Sequence, residues 1–440
     1  MTTIPQLAKV LQELLSSTAD RIARETGFVQ RESKLSGALF TQTLVFGWLA
    51  NADATLEELA QTAATVGVEI TAQGLDDRFN QAAAECMRRI LESAVGTTIA
   101  ANVVAVPILQ KFTGVYIQDS TTITLPDTLA DIWHGSGENA ANETVAGLKL
   151  QVQFDYSTGQ MSQLIPQDGI AQDRDAPIQQ TPLPPGALRL ADMGYFALPV
   201  LADLAAQGVY WLTRSPVNTV MFTLLGEHLD LLTWLRQADA AEIDQDILLG
   251  KEQRLPCRLV AVRVPQEVAD RRRAQLHKHA RHKGQAVSQA RLALADWTIL
   301  VTNISQEMLT VREILVLARC RWQIELLFKL WKSHGRVDHS RSAKPWRVLC
   351  EVYAKLLAMI VQHWLFLVSC WAYPDRSLQK AAQTIRKHAL HLAACFREHR
   401  RLTEAMNTIR RCLAAGCRIN KRKVSPHTYQ LLMEATYVMA

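Results

Sequence analysis

Four charged side chains near position 320 are spaced as if along one line of a helix. Arg321, Glu325, Lys329 and Lys332 follow at steps of four, four and three residues, which return to nearly the same azimuth when each residue advances about 100°. One carboxylate is thereby held among three cations. An exposed stripe of ion pairs has the same pattern and contributes only roughly 0.2–0.5 kcal/mol per pair. Two further acids stand where apolar strand-like runs end: Asp119 in VYIQDSTTITLP and Asp192 in ALRLAD. Either one alone reads as a turn or cap residue. Taken together, two aspartates at strand ends and a glutamate on a later helix supply oxygen ligands for a pair of divalent ions, and Mg²⁺ suits such a set. Two ions about 3.5 to 4 Å apart activate a water or a 3′-hydroxyl for in-line attack on a phosphodiester. Arg321 then grips a phosphate with its fork of donors, and Lys329 and Lys332 hold the backbone nearby. Asp155, Asp168, Asp173 and Asp175 fall in a hairpin turn or polar loop, where nothing in the sequence fixes their geometry.

The elements that must position these groups follow from periodicity. Val311 to Ser333, VREILVLARCRWQIELLFKLWKS, contains no Pro or Gly and predicts one helix of about six turns. Leu317, Cys320, Ile324, Leu327, Phe328 and Trp331 share its apolar face. Residues 1–105 predict an all-helical domain. Within it a helix over Leu56 to Val66, a break at Gly67 and a second helix capped by Thr71 outline a DNA-reading helix pair, with Arg78 as its one basic contact. From Phe112 the texture becomes β-branched and alternating. A strand ending its apolar part at Asp119 precedes an exposed loop, HGSGENAANET, and a hairpin turning at Ser157 to Gly159. The strand before Asp192, a helix over FALPVLADLAAQG and the strand VYWLTRS complete an α/β layer.

Residues 214–295 interrupt that layer with strand-like pieces and a dense basic run. Arg271 to Lys283 holds six Lys/Arg and three His, which points to an anionic partner because so dense a cluster repels itself. The strand DWTILVTN follows, then the Val311–Ser333 helix. Residues 344–440 are helical and end strongly basic.

Composition bounds the answer. The 440 residues are 48% hydrophobic and 20% charged, an ordinary globular balance that excludes a disordered chain. A net charge of +6 favours a polyanionic partner. Eight cysteines without a CxxC pair suggest neither a zinc site nor a disulfide framework, so reduced thiols in a cytoplasmic protein are expected. The N-terminus lacks the basic start and apolar core of a signal peptide. Leu356 to Tyr373 is apolar enough for a membrane, yet Gln362 and His363 at its middle make it a buried core helix instead.

The runs YIQDSTTITLP, RLADMGYF and RCRWQIELLFKLWKS together resemble the DDE transposases of bacterial insertion sequences, in the group marked by a Tyr, Arg, Glu and Lys signature. Arg321, Glu325 and Lys332 fall in register with it, Trp322 also fits, and the Tyr position is held by Ala318. In that family the Tyr is expected near a terminal phosphate, so Ala318 leaves one hydrogen bond to be supplied elsewhere or lost. The likeness extends over most of the chain, including FTQTLVFGWLA, GLDDRF and WTILVTN. It implies an RNase H-like catalytic domain over 106–343 with an inserted β-containing subdomain at about 214–295, an N-terminal DNA-binding domain over 1–105 and a helical C-terminal region over 344–440. It further implies Asp119, Asp192 and Glu325 as the catalytic, metal-binding triad. Arg321, Trp322, Lys329 and Lys332 become contacts to the transposon end. Two Mg²⁺ ions, with Mn²⁺ able to substitute, would support cleavage and strand transfer by two subunits assembled on inverted-repeat ends and target DNA. A DNA-binding protein without catalysis and a nuclease without strand transfer are the alternatives, and no membrane is involved.

Overall fold

The computed structural model describes residues 2–138, 144–238, 240–282, 284–422 and 426–437. In chain order the N-terminal helices are α1 (Ile4–Glu13), α2 (Ala19–Glu25), α3 (Gly37–Ala50), α4 (Leu56–Val66), α5 (Ala72–Asp76) and α6 (Gln81–Val95). Strands β1 (Val115–Leu125), β2 (His134–Glu138), β3 (Thr144–Asp155), β4 (Met161–Asp168) and β5 (Leu188–Ala191) follow, then α7 (Leu198–Ala206) and β6 (Tyr210–Thr213). Next come β7 (Met221–Phe222), β8 (His228–Leu229), α8 (Leu231–Gln237), β9 (Glu242–Leu249), β10 (Leu255–Arg263), α9 (Gln266–His282), α10 (Gln289–Ala293) and β11 (Trp297–Thr302). The chain ends with α11 (Val311–Cys320), α12 (Trp322–Ser333), α13 (Pro345–Cys370), α14 (Leu378–Lys387), α15 (Ala389–Cys395), α16 (His399–Gly416) and α17 (Thr428–Tyr437). This is the mixed α/β class expected.

Two compact units emerge. The first comprises Met1–Pro107, Asp119–Ala171 and Trp322–Met433, and the second Ile108–Gln118, Gln172–Arg321 and Glu434–Ala440. The first unit is organised around α13. Its apolar window is 89% buried and it packs on α3, α6 and α16, so the membrane-length run is a core helix, as its central Gln362 and His363 required. Both of those are buried, and His363 Nε2 lies 2.6 Å from the Gly159 carbonyl. In the same unit β3 pairs antiparallel with β2 and β4. The β3–β4 hairpin turns through Tyr156–Gly159 as expected, with Gly159 at φ +76°.

In the second unit the first residues of β1 lie parallel to β5, and β5 parallel to β6. The sheet then continues antiparallel through β11, β10, β9, β7 and β8. Segment 214–295 therefore extends the layer, because β10 zips along β11 over Arg258–Arg263. Leu201, Trp211, Ile247, Leu259 and Val301 are among the residues that fill its core.

Three local expectations are corrected. The second helix of the N-terminal pair, α5, is only five residues long: Thr71 caps it, but Asn80 starts α6 almost at once, and Arg78 lies between the two. The loop HGSGENAANET begins as a strand, since β2 pairs with β3 from His134↔Ala146 to Glu138↔Thr144; residues 139–143 lie outside the described residues. The single helix Val311–Ser333 is two, with the helical bonding interrupted at Arg321 although its backbone stays right-handed, at φ −51° and ψ −34°.

Candidate functional site

In the second unit, strand pairing sets up one part of the site. The parallel register of β1 and β5 runs from Val115↔Leu188 to Gln118↔Ala191. The next residue along each chain is an acid, Asp119 on one and Asp192 on the other. Asp192 thus follows its strand directly, as read from sequence. Asp119 does not end a strand: β1 continues to Leu125, because Thr121, Thr122 and Ile123 keep the β-branched pattern.

A buried polar strap holds this strand pair. The Arg189 guanidinium donates from Nε to Gln118 Oε1 at 2.5 Å and from an outer nitrogen to Gln179 Oε1 at 2.7 Å. Gln118 Nε2 in turn donates to the Ile178 carbonyl at 3.1 Å. Burial pushes the pKa of Arg189 down to about 10, still far above neutrality, so a charged group sits inside the layer and depends on these acceptors. Sequence reasoning passed over this network. Its signal was a Gln and an Arg at inward positions of otherwise apolar strands.

Asp192 opens the short helical turn Met193–Tyr195. Its carboxylate is 3.9 Å from Arg321 Nε, with the two side chains 45% and 23% exposed. A pair this open to water is weakly held. Arg321 and Asp192 are thus brought together.

The first unit holds the other predicted residues. Asp119 Oδ1 accepts the Ser120 backbone N–H at 2.8 Å. Glu325 lies half-buried in the first turn of α12. The expected apolar face is buried, with Ile324, Leu327 and Trp331 at most 1% exposed. Trp322 is 52% exposed and Lys329 is exposed, so both reach solvent. Lys332 is half-buried and its Nζ donates to the Thr122 carbonyl at 2.9 Å, a contact no motif announced. Ala318 lies on α11.

Carboxylate oxygens are the donor type a hard divalent cation takes. Among the described residues, however, no group of three or more His, Cys, Asp or Glu side chains is gathered to hold an ion. All eight cysteines are free thiols.

The family model described as "Transposase DDE domain" matches residues 110–361, more than half of the chain. The transposase for insertion sequence element IS231C of Bacillus thuringiensis subsp. berliner is 28% identical over 377 residues, covering 80% of this chain and 78% of the relative. That for IS231F of B. thuringiensis subsp. israelensis is 27% identical over 381 residues, covering 82% and 78%. That for IS1151 of Clostridium perfringens is 24% identical over 388 residues, covering 82% and 81%. Strand, acid and helix lie inside the matched span, and the likeness runs well beyond it at full domain scale, so the chain belongs to the DDE transposases of bacterial insertion sequences.

Proposed function

We propose that this transposase cuts DNA at the ends of its element and joins them to a target, by a cut-and-paste route on an RNase H-like core. Asp119, Asp192 and Glu325 serve as its three carboxylates. The observation that carries the reading is the Gln118↔Ala191 pair on adjacent parallel strands, after which each chain supplies an aspartate at its next step. Glu325 is supported by a match of lengths. Lys332 ties α12 to Thr122 of β1. Three strand residues back to Asp119 and seven helix residues back to Glu325 are each a span of about 10 Å.

The DDE family generally uses divalent metals. A bound Mg²⁺ pair would activate a water or 3′-hydroxyl and stabilise the leaving oxygen, held by those three carboxylates, with Mn²⁺ as substitute. The chain's own cations prepare the site. Arg321 screens Asp192 in the free protein and turns its donors to a phosphate when DNA arrives. Lys329 and the exposed Trp322 are open to the same backbone and its bases. Two subunits acting on two ends complete the reading.

The test is a supercoiled donor plasmid carrying both terminal repeats, incubated with protein and Mg²⁺. Excision and joining that vanish in Asp119→Ala are the expected result. Ala318 in place of the signature Tyr favours one second reading, a DNA-binding protein that no longer cuts. Repeat-specific binding with an uncut plasmid would establish that instead, and cutting without joining would identify a plain nuclease.

A further inference from the structure

We propose that the outer face of α9 is a docking strip for the sugar-phosphate backbone of duplex DNA, apart from the residues assigned to cleavage. The proposal rests on the reading of this chain as a DNA-acting protein and adds a second contact surface to it.

The fold sorts the basic run into two sets. Arg272 and Arg273 face inward. Arg272 donates to the Trp297 carbonyl at 2.8 Å and to Thr298 Oγ1 at 2.9 Å, while Arg273 pairs with Asp270 at 2.7 Å and with Asp296. These two pin α9 to the start of β11, and Ala269 is buried beneath. Arg271, His277, Lys278, His279 and Arg281 are exposed.

Arg271, Lys278 and Arg281 are separated by steps of seven and three residues. They therefore lie within about 80° of one another on the helix, over about 15 Å of its length. One DNA strand carries a charge per about 3.4 Å of axis, so a strip this long faces about four phosphates. The acids of α9, Glu267 and Asp270, are confined to its first turns, and Asp270 is engaged by Arg273 and Gln266. From Arg271 onward the helix carries no negative charge. The strip contributes nothing to the pinning and its like charges repel one another, a cost that an anionic backbone removes.

The experiment is binding of the full-length protein, without divalent metal, to a labelled duplex bearing a terminal repeat and to an unrelated duplex of equal length. Salt is varied from about 50 to 200 mM. Combined Arg271→Ala, Lys278→Ala and Arg281→Ala should flatten the plot of log affinity against log salt by about 2.7 on both duplexes. Thermal stability should be unchanged or raised. The charge-keeping set Arg271→Lys, Lys278→Arg and Arg281→Lys should retain the parental slope. A parental slope in the alanine variant overturns the proposal, as does a loss seen with single-stranded RNA or anionic vesicles and not with the duplexes. If the parent protein binds neither duplex, the reading of the chain as DNA-acting fails first, a result distinct from an unchanged slope.

Discussion

Glu325→Gln isolates charge from shape. The amide matches the carboxylate in size but lacks the negative charge that a cation requires, so cleavage should fall by about a thousandfold or more. Affinity for the terminal repeat and thermal unfolding should stay as in the parent, because Glu325 is only half-buried. A variant cutting at the parental rate would remove Glu325 from the site. Arg321 behaves differently. It faces Asp192 at 3.9 Å, and Arg321→Lys keeps one charge while losing the planar fork, so end binding should weaken more than the salt slope changes. At this scale the sequence was informative about types of residue. Spacing and likeness nominated the acids and cations, but not Arg189, Gln118 and Gln179, because a buried polar strap is defined only by what it touches across strands.

The tie from Lys332 to the Thr122 carbonyl gives α12 a defined seat on β1. Lys332→Met keeps the apolar stem and removes that bond along with one charge. Cleavage should drop by about tenfold to a hundredfold through misplacement of the helix, and the salt slope should flatten by about one; a variant with normal rate and slope would mean that the lysine only decorates the surface. The β3–β4 hairpin makes a second prediction. A Cβ on Gly159 would meet Trp371 ring atoms at 2.4 Å, at a backbone φ of +76°. Gly159→Ala should therefore destabilise by about 2 to 4 kcal/mol in denaturant titration, from overlap and strain together. Strands and helices were legible from their periods of two and 3.6. The break at Arg321 and the strand β2 were not, since both depend on hydrogen bonds that local composition does not dictate.

Stability of the first unit should depend on pH through its core. Burial holds His363 at a pKa of about 4, against about 6.5 in an unfolded chain. The folded form thus favours neutral imidazole, and the unfolded chain takes up the proton first as pH falls. The contribution, about 3 kcal/mol at most, is complete above about pH 6.5 and lost progressively toward pH 4. Thermal unfolding between pH 7 and 4 should show the decline, and His363→Gln, which keeps a donor toward the Gly159 carbonyl, should flatten it. An equally steep decline in that variant would assign the effect elsewhere.

The division of labour between chain and fold is clear across these scales. By itself the sequence determined an α/β protein with a helical start and end and a buried membrane-length helix, because burial patterns are local properties. Tertiary structure decided which groups share a unit, that segment 214–295 continues the sheet through β10 and β11, and that Arg321 faces Asp192. Those outcomes come from pairing between residues far apart along the chain. Such pairing is selected by the free energy of the assembled layer and leaves no periodic trace along the chain.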